Sequence, residues 1–179
     1  MTKEEARIFQ KKRISEIENR VSKEESICSK LVPRLQGCKR VICYRADKWE
    51  VNLDWVWNHP DLKEVSFYFP KVISKEQRMI EFVKPTFWQK GNYGLQEPFG
   101  SETLLPEDAD LSVIPALGFH ERGFRLGRGA GFYDRAYQGV GVKKMIGIGF
   151  SELFSIDFPY SDYDIRVGEL ITDTDVLFF

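Results

Sequence analysis

Along this chain short apolar runs alternate with amphipathic and polar stretches, and the spacing inside each stretch separates helices from strands. Ala6, Phe9, Ile14, Ile17 and Val21 recur at roughly helical spacing in a charged opening stretch, which predicts a first helix. Ser22 followed three residues later by Glu25 has the capping-box pattern and predicts a second helix over residues 23–35. The apolar run 40–44 after Gly37 suits a buried strand, and residues 52–57 predict a short helix ahead of the Asn58-His59-Pro60 break. Residues 65–69 read as a strand stopping at Pro70, and 78–83 as a further strand. Gly91, Gly94 and Pro98 mark a loop. Residues 111–115 form another buried strand, 132–137 a helix, 145–150 a strand, and 170–172 and 176–179 short terminal strands.

Strands alternating with helices imply a three-layer α/β/α sandwich around a mostly parallel, Rossmann-like sheet. A chain of 179 residues fits one domain, with residues 1–36 as a helical arm and 37–179 as the α/β core. A hydrophobic fraction of 42% is enough to fill such a core and argues against disorder. The net charge of −1 excludes an unselective nucleic-acid binder, so basic charge matters only where it clusters. Cys28, Cys38 and Cys43 are odd in number and lack C-x-x-C spacing, which indicates neither a disulfide framework nor a zinc site. No apolar run approaches membrane-spanning length and no secretory segment is evident. The expectation is a reduced, cytoplasmic, monomeric protein with small-molecule partners, no nucleic acid and no membrane.

Basic charge does cluster, between Gly123 and Arg135. Gly123, Gly127, Gly129 and Gly131 interleave there with Arg125, Arg128 and Arg135, and the run closes on Tyr133-Asp134. Glycines let backbone N–H groups turn toward a ligand, and successive N–H groups make a concave anion site. Arginines beside such a loop add planar forks that match phosphate oxygens in pairs. A carboxylate just downstream is what a phosphate-bound Mg²⁺ requires. The loop reads as a nucleotide-phosphate cradle at the carboxyl end of the 111–115 strand, where open α/β sheets bind ligands.

Arg125-Leu-Gly-Arg-Gly-Ala-Gly-Phe-Tyr-Asp134 resembles the hallmark Arg-Leu-Gly-x-Gly-x-Gly-Tyr-Tyr-Asp of the 5-formyltetrahydrofolate cyclo-ligases, also called methenyltetrahydrofolate synthetases. Val113-Ile-Pro-Ala-Leu-Gly-Phe119, Gly147-Ile-Gly-Phe150, Leu170-Ile-Thr172, Phe69-Pro-Lys-Val72 and Tyr93-Gly-Leu-Gln-Glu-Pro98 are similar to that family's segments in the same order. The resemblance implies an enzyme that uses Mg²⁺ and ATP to cyclise 5-formyltetrahydrofolate to 5,10-methenyltetrahydrofolate. The formyl oxygen would take the γ-phosphoryl group, N10 would close on the activated carbon, and phosphate would leave beside ADP. Carried over by position, ATP would meet Arg7, Lys11, Arg125, Leu126, Gly127, Arg128, Gly129, Ala130, Gly131, Phe132 and Tyr133. The folate would meet Arg45, Glu50, Tyr93, Arg128, Gly129, Ala130, Gly131 and Phe132. Arg125, Arg128 and Tyr133 would carry catalysis, and Asp134 and Asp164 would hold the metal. The chain departs from the pattern at Phe132 (for Tyr), at Ala130 (for Gly or Lys) and at Tyr163 (for His). Arg7 and Lys11 reverse a Lys-x-x-x-Arg pair.

Plainer readings stand beside these. Asp134 could be a helix-start residue pairing with Arg135, Glu50 a solvated strand-end charge, and Arg7 with Lys11 a solvated face beside Glu4 and Glu5. Trp55, Trp57, Phe67, Tyr68 and Phe69 fit a core, His59 and His120 loops, and Cys43 a small buried hydrophobe. Two rival functions stay open as well. One is a non-catalytic folate- or nucleotide-binding protein; the other is an ATP-independent sugar-phosphate isomerase or acyl-CoA transferase on the same architecture.

Overall fold

The computed structural model describes residues 1–91 and 94–179. Helices α1 (Lys3–Ser15) and α2 (Arg20–Leu35) lead into strand β1 (Arg40–Ile42) and the single-turn helix α3 (Asp54–Trp57). Strands β2 (Ser66–Ser74), β3 (Met79–Val83), β4 (Phe87–Lys90), β5 (Gln96–Phe99) and β6 (Thr103–Leu104) follow. Next come β7 (Leu111–Pro115), β8 (Gly118–Phe119), β9 (Arg125–Leu126) and helix α4 (Phe132–Ala136). Strands β10 (Met145–Ile148), β11 (Glu169–Ile171) and β12 (Val176–Phe178) complete the chain.

Eight strands form one sheet in the order β12-β11-β10-β7-β1-β2-β3-β6. From β11 to β2 all neighbours are parallel, whereas β12, β3 and β6 run antiparallel to theirs. The expected α/β sandwich is therefore present, with a mixed, mostly parallel sheet and N-terminal helices. Side chains alternate across it as a two-residue period demands. Val41, Cys43, Phe67, Phe69, Val113, Ile146 and Ile171 face α1 and α2 through Ala6, Ile14, Ile27, Leu31 and Leu35. Ile42, Tyr68, Ile114, Met145 and Leu170 face the other way, onto Phe82, Phe119, Tyr137, Ile165 and Val167. That second layer is thin, because α4 has five residues and irregular chain supplies the remainder. Both N-terminal helices are built into the core, and truncating a fully buried residue such as Leu31 to Ala should cost about 2–5 kcal/mol.

Several local expectations need correction. Helix α2 starts at Arg20, behind a left-handed Asn19 with no side-chain cap, so the Ser22/Glu25 pair lies inside the helix. The capping box in use is Thr2 with Glu5, at the head of α1. Phe9 and Val21 are exposed, and the buried stripe of α1 is Ala6, Gln10 and Ile14. Strand β2 runs through Pro70 to Ser74. Beyond Tyr68 it pairs only with β3, so the missing proline N–H falls where one side has no ladder. The stretch around Gly91, Gly94 and Pro98 is the β4–β5 hairpin rather than an open loop. Of the aromatic cluster, Phe67, Tyr68 and Phe69 are core, but Trp55 is more than half exposed.

Candidate active site

In this sheet β1 is followed outward by β2 on one side, while β7, β10 and β11 extend the other. The strand order reverses between β1 and β7, and a crevice outside the carboxyl ends of the strands is expected there. A cavity of ≈ 330 Å³ lies at that place, bounded by Tyr44 and Arg45 after β1 and by Pro115 and Ala116 at the end of β7. One wall is the glycine-arginine loop, contributing Arg125, Arg128, Ala130, Gly131, Phe132 and Tyr133. The opposing wall comes from β2, β3 and β5 through Phe69, Val72, Ile80 and Glu97, with Leu95 just ahead of β5, and Lys11 of α1 closes one side.

Local conformation explains the loop's composition. Gly129 and Gly131 have φ of +101° and +72°, which side chains disfavour, and a Cβ on Gly129 would stand 3.3 Å from the Arg7 guanidinium. Arg7 itself donates from Nε to the Gly127 carbonyl at 2.9 Å and reaches Glu4 with Nη1. It thus braces the loop, and of the plainer reading only its Glu4 contact survives. Arg128 pairs with Asp47 at 2.6 Å. Arg125 is different: it is 7% exposed, its guanidinium lies 5.0 Å over the Tyr133 ring, and Nε and Nη1 have no partner among the described residues. A buried guanidinium with open donors is costly unless something anionic or carbonyl-like meets it.

Glu50 belongs to the same wall. Its Oε2 accepts the Asp47 amide at 3.1 Å, and Arg20 donates to its main-chain carbonyl at 2.6 Å. Burial, with the Asp47 carboxylate adding to it, pushes the Glu50 carboxyl up to about 7 against the pull of Arg128 and Arg125. It is not a solvated strand-end charge. Burial also drives the Tyr133 and Tyr44 phenols well above their ordinary range, and the Tyr133 hydroxyl has no hydrogen-bond partner among the described residues. Arg45 lies over the Trp88 ring at 4.8 Å and Lys11 over Trp49 at 5.9 Å.

The structure brings together Lys11, Arg45, Glu50, Arg125, Arg128, Ala130, Gly131, Phe132 and Tyr133 around one cavity. Leu126 is buried behind it, and Tyr93 lies outside the described residues. Asp134 and Asp164 do not line it. Asp134 Oδ1 accepts the Ile165 amide at 3.2 Å, which sets it beside the 161–165 turn rather than on Arg135. Asp164 is held by the Lys3 ammonium and by the amide and hydroxyl of Ser161. Burial alone would raise its carboxyl; those donors outweigh it and hold it below the usual carboxylate range. Among the described residues no cluster of three or more metal-ligating side chains forms. Sequence reasoning missed Asp47, Arg20 and Lys3, each of which carries only a charge with no local pattern around it, and it gave Glu97 no role although its segment resembles the family's. Cys43 is fully buried and burial raises its thiol, in keeping with a small core residue.

Residues 2–173 match the model of the 5-formyltetrahydrofolate cyclo-ligase family. The chain is 30% identical over 155 residues to 5-formyltetrahydrofolate cyclo-ligase of Mycoplasma pneumoniae, covering 84% of each. A shorter match, 32% over 85 residues, joins it to the Mycolicibacterium smegmatis 5-formyltetrahydrofolate cyclo-ligase and spans 45% of this chain and 43% of that one. The NMR structure of 5,10-methenyltetrahydrofolate synthetase from Aquifex aeolicus superposes with a TM-score of 0.81 at 29% identity, over 99% of this chain and 93% of that one. Among the described residues no helix is long and apolar enough to cross a membrane.

Proposed function

The chain belongs to the 5-formyltetrahydrofolate cyclo-ligase family, and from that premise we propose that it cyclises 5-formyltetrahydrofolate to 5,10-methenyltetrahydrofolate at the expense of ATP. The observation that carries this reading is Arg125, a buried cation on the loop wall of the cavity whose Nε and Nη1 have no partner among the described residues. A transferring phosphoryl group supplies the anionic oxygens that such a fork needs.

A formamide oxygen is a weak nucleophile, so rate must come from positioning and from charge neutralisation. The formyl oxygen bonds to the γ-phosphorus as the bond to ADP breaks. N10 then bonds to the activated carbon and gives up its proton to solvent, the carbon–oxygen bond breaks, and phosphate leaves. In this scheme Arg125 and Arg128 hold the moving phosphoryl oxygens, with the loop backbone from Leu126 to Phe132 around them. Arg7 fixes the loop through Gly127, and Lys11 faces the nucleotide from α1. Arg45, Glu50 and Phe132 contact the folate, and Tyr133 seats Arg125 under its ring.

Bound to ATP, Mg²⁺ would neutralise phosphate charge. Asp134 does not line the cavity, but its Oδ2 has no protein partner among the described residues. It would hold this ion through water, since Mg²⁺ keeps several waters and asks for only one or two carboxylates. Asp164 would join it by releasing Lys3 or through water. The test is purified protein with 5-formyltetrahydrofolate, followed by methenyl-folate absorbance with and without ATP. Product only when ATP is present is the expected result, and product at equal rate without ATP would instead favour an ATP-independent transferase or isomerase-type enzyme. Folate binding with no turnover would favour the binding-protein alternative.

A further inference from the structure

Opposite the arginines, Glu97 of β5 puts a carboxylate against the cavity with almost nothing to receive it. The residue is 8% exposed and lines the cavity beside Leu95, Val72 and Ile80. Its one hydrogen bond among the described residues is from the Val72 amide to Oε1 at 3.4 Å, longer than an ordinary N–H···O bond. Among the described residues it is in no ion pair, and Arg45 and Lys71 lie over the rings of Trp88 and Phe99. The chain also keeps clear of it: a Cβ on Gly91 would stand 2.1 Å from Oε2. Gly91 does not need glycine's left-handed backbone, so room for this carboxylate is what the glycine supplies. A buried carboxylate short of donors calls for a ligand that brings them.

Resting on the folate reading above, we propose that Glu97 recognises the aminopyrimidinone edge of the substrate, accepting from its 2-amino group and N3–H. Those two N–H groups are parallel and adjacent, which is the pattern that makes guanidinium–carboxylate pairs bidentate. Adenine does not present it, because its 6-amino donor is flanked by the acceptor N1, which would face a carboxylate oxygen with a lone pair. Glu97 therefore sorts the two substrates within one cavity. The folate head goes to the β5 wall, and the triphosphate goes to the loop wall that carries Arg125.

A binding cycle tests this, with 5-formyltetrahydrofolate and its 2-desamino-2-methyl analogue measured against wild type and Glu97→Gln. Gln keeps the size but replaces one acceptor oxygen with an NH₂ donor, so it cannot take the two parallel N–H groups side by side. Wild type should bind the analogue roughly 10- to 100-fold more weakly than the parent, the usual scale for hydrogen bonds to a charged group. In Glu97→Gln the parent should weaken by a similar factor, the two folates should bind nearly alike, and the KM for ATP should stay unchanged. Equal loss of the analogue in both proteins, or equal binding of both folates to wild type, overturns the proposal. Should Glu97→Gln unfold at the assay temperature, Gly91→Ala, which displaces the carboxylate, takes its place in the same cycle. Wild type that binds both folates but never turns over defeats the proposed activity alone, since the binding comparison needs no chemistry.

Discussion

On the loop wall of the cavity, Arg7, Arg125 and Arg128 crowd around glycines whose backbone is bent into the left-handed region. On the hairpin wall, β2 and β3 present Phe69, Val72 and Ile80, and Leu95 stands just ahead of β5, around the carboxylate of Glu97. The loop wall holds its own shape through polar contacts: Arg7 on the Gly127 carbonyl and Arg128 on Asp47. The hairpin wall is held by strand pairing and ring packing, including Phe69 against Trp57 and Trp88. Each wall leaves one buried charge without adequate partners, a cation on one and an anion on the other. A phosphoryl group and a donor-rich heterocycle answer those two needs separately.

The comparison breaks first at Arg125. Arg125→Ala should lower ATP-dependent turnover about 100-fold and Arg128→Ala nearer tenfold, within the 1.5–3 kcal/mol of a charge-assisted hydrogen bond. The order follows from Arg128 already being engaged by Asp47 while Arg125 is open. Steady-state kinetics with melting curves to verify the fold would check it, and near-wild-type rates in both would move the phosphate site off this loop.

Glu50 sharpens the same wall through pH. Its carboxyl has an ordinary value of 4.5 and stands at about 7 here, so the folded protein binds the proton more tightly than the unfolded chain. That contribution to stability is complete below about 4.5 and is lost as pH rises through about 7. Glu50→Gln removes the term, so its melting temperature relative to wild type should climb between those values. A parallel pair of melting curves across the window would contradict the half-buried, proton-retaining Glu50.

Gly131→Val should cost about 1–2 kcal/mol from its backbone conformation and also abolish the rise in melting temperature given by Mg-ATP. A full ligand-induced rise in that variant would show that backbone approach to the phosphates is not needed. At the smallest scale, Asp164→Asn should cost up to about 1 kcal/mol by loosening Lys3, whereas Asp134→Asn should shift the Mg²⁺ titration of activity. Unshifted titrations in both variants would remove the metal assignment and leave the ligase reading in place.

What was legible in the chain divides along the same line. The loop wall announces itself because alternating glycines and arginines are a local pattern, and the β7 strand feeding it has the apolar run that a buried parallel strand needs. The hairpin wall does not. Gly91, Gly94 and Pro98 punctuate like a loop, yet Trp88 pairs with Pro98 and Gln89 with Glu97 across β4 and β5. Pro70 reads as a stop until the end of β1 shows that its missing donor is not wanted. Ser22 with Glu25 has a cap's spelling, but the chain turns at Asn19 instead, three residues earlier. Asp47 matters through what surrounds it in space, and no neighbour in sequence reports that; Glu97 sits in a family-like segment that says nothing of its burial. Long-range burial, unlike turn chemistry, leaves no mark on adjacent residues.

The most direct test of the central claim is the coupling of the two substrates in this cavity. ADP and methenyl-folate are measured in the same reaction for wild type and Arg125→Ala. One ADP per methenyl product in wild type, with both falling together in the variant, is the predicted result. ATP loss without cyclised folate, or undiminished coupled turnover in Arg125→Ala, would contradict it.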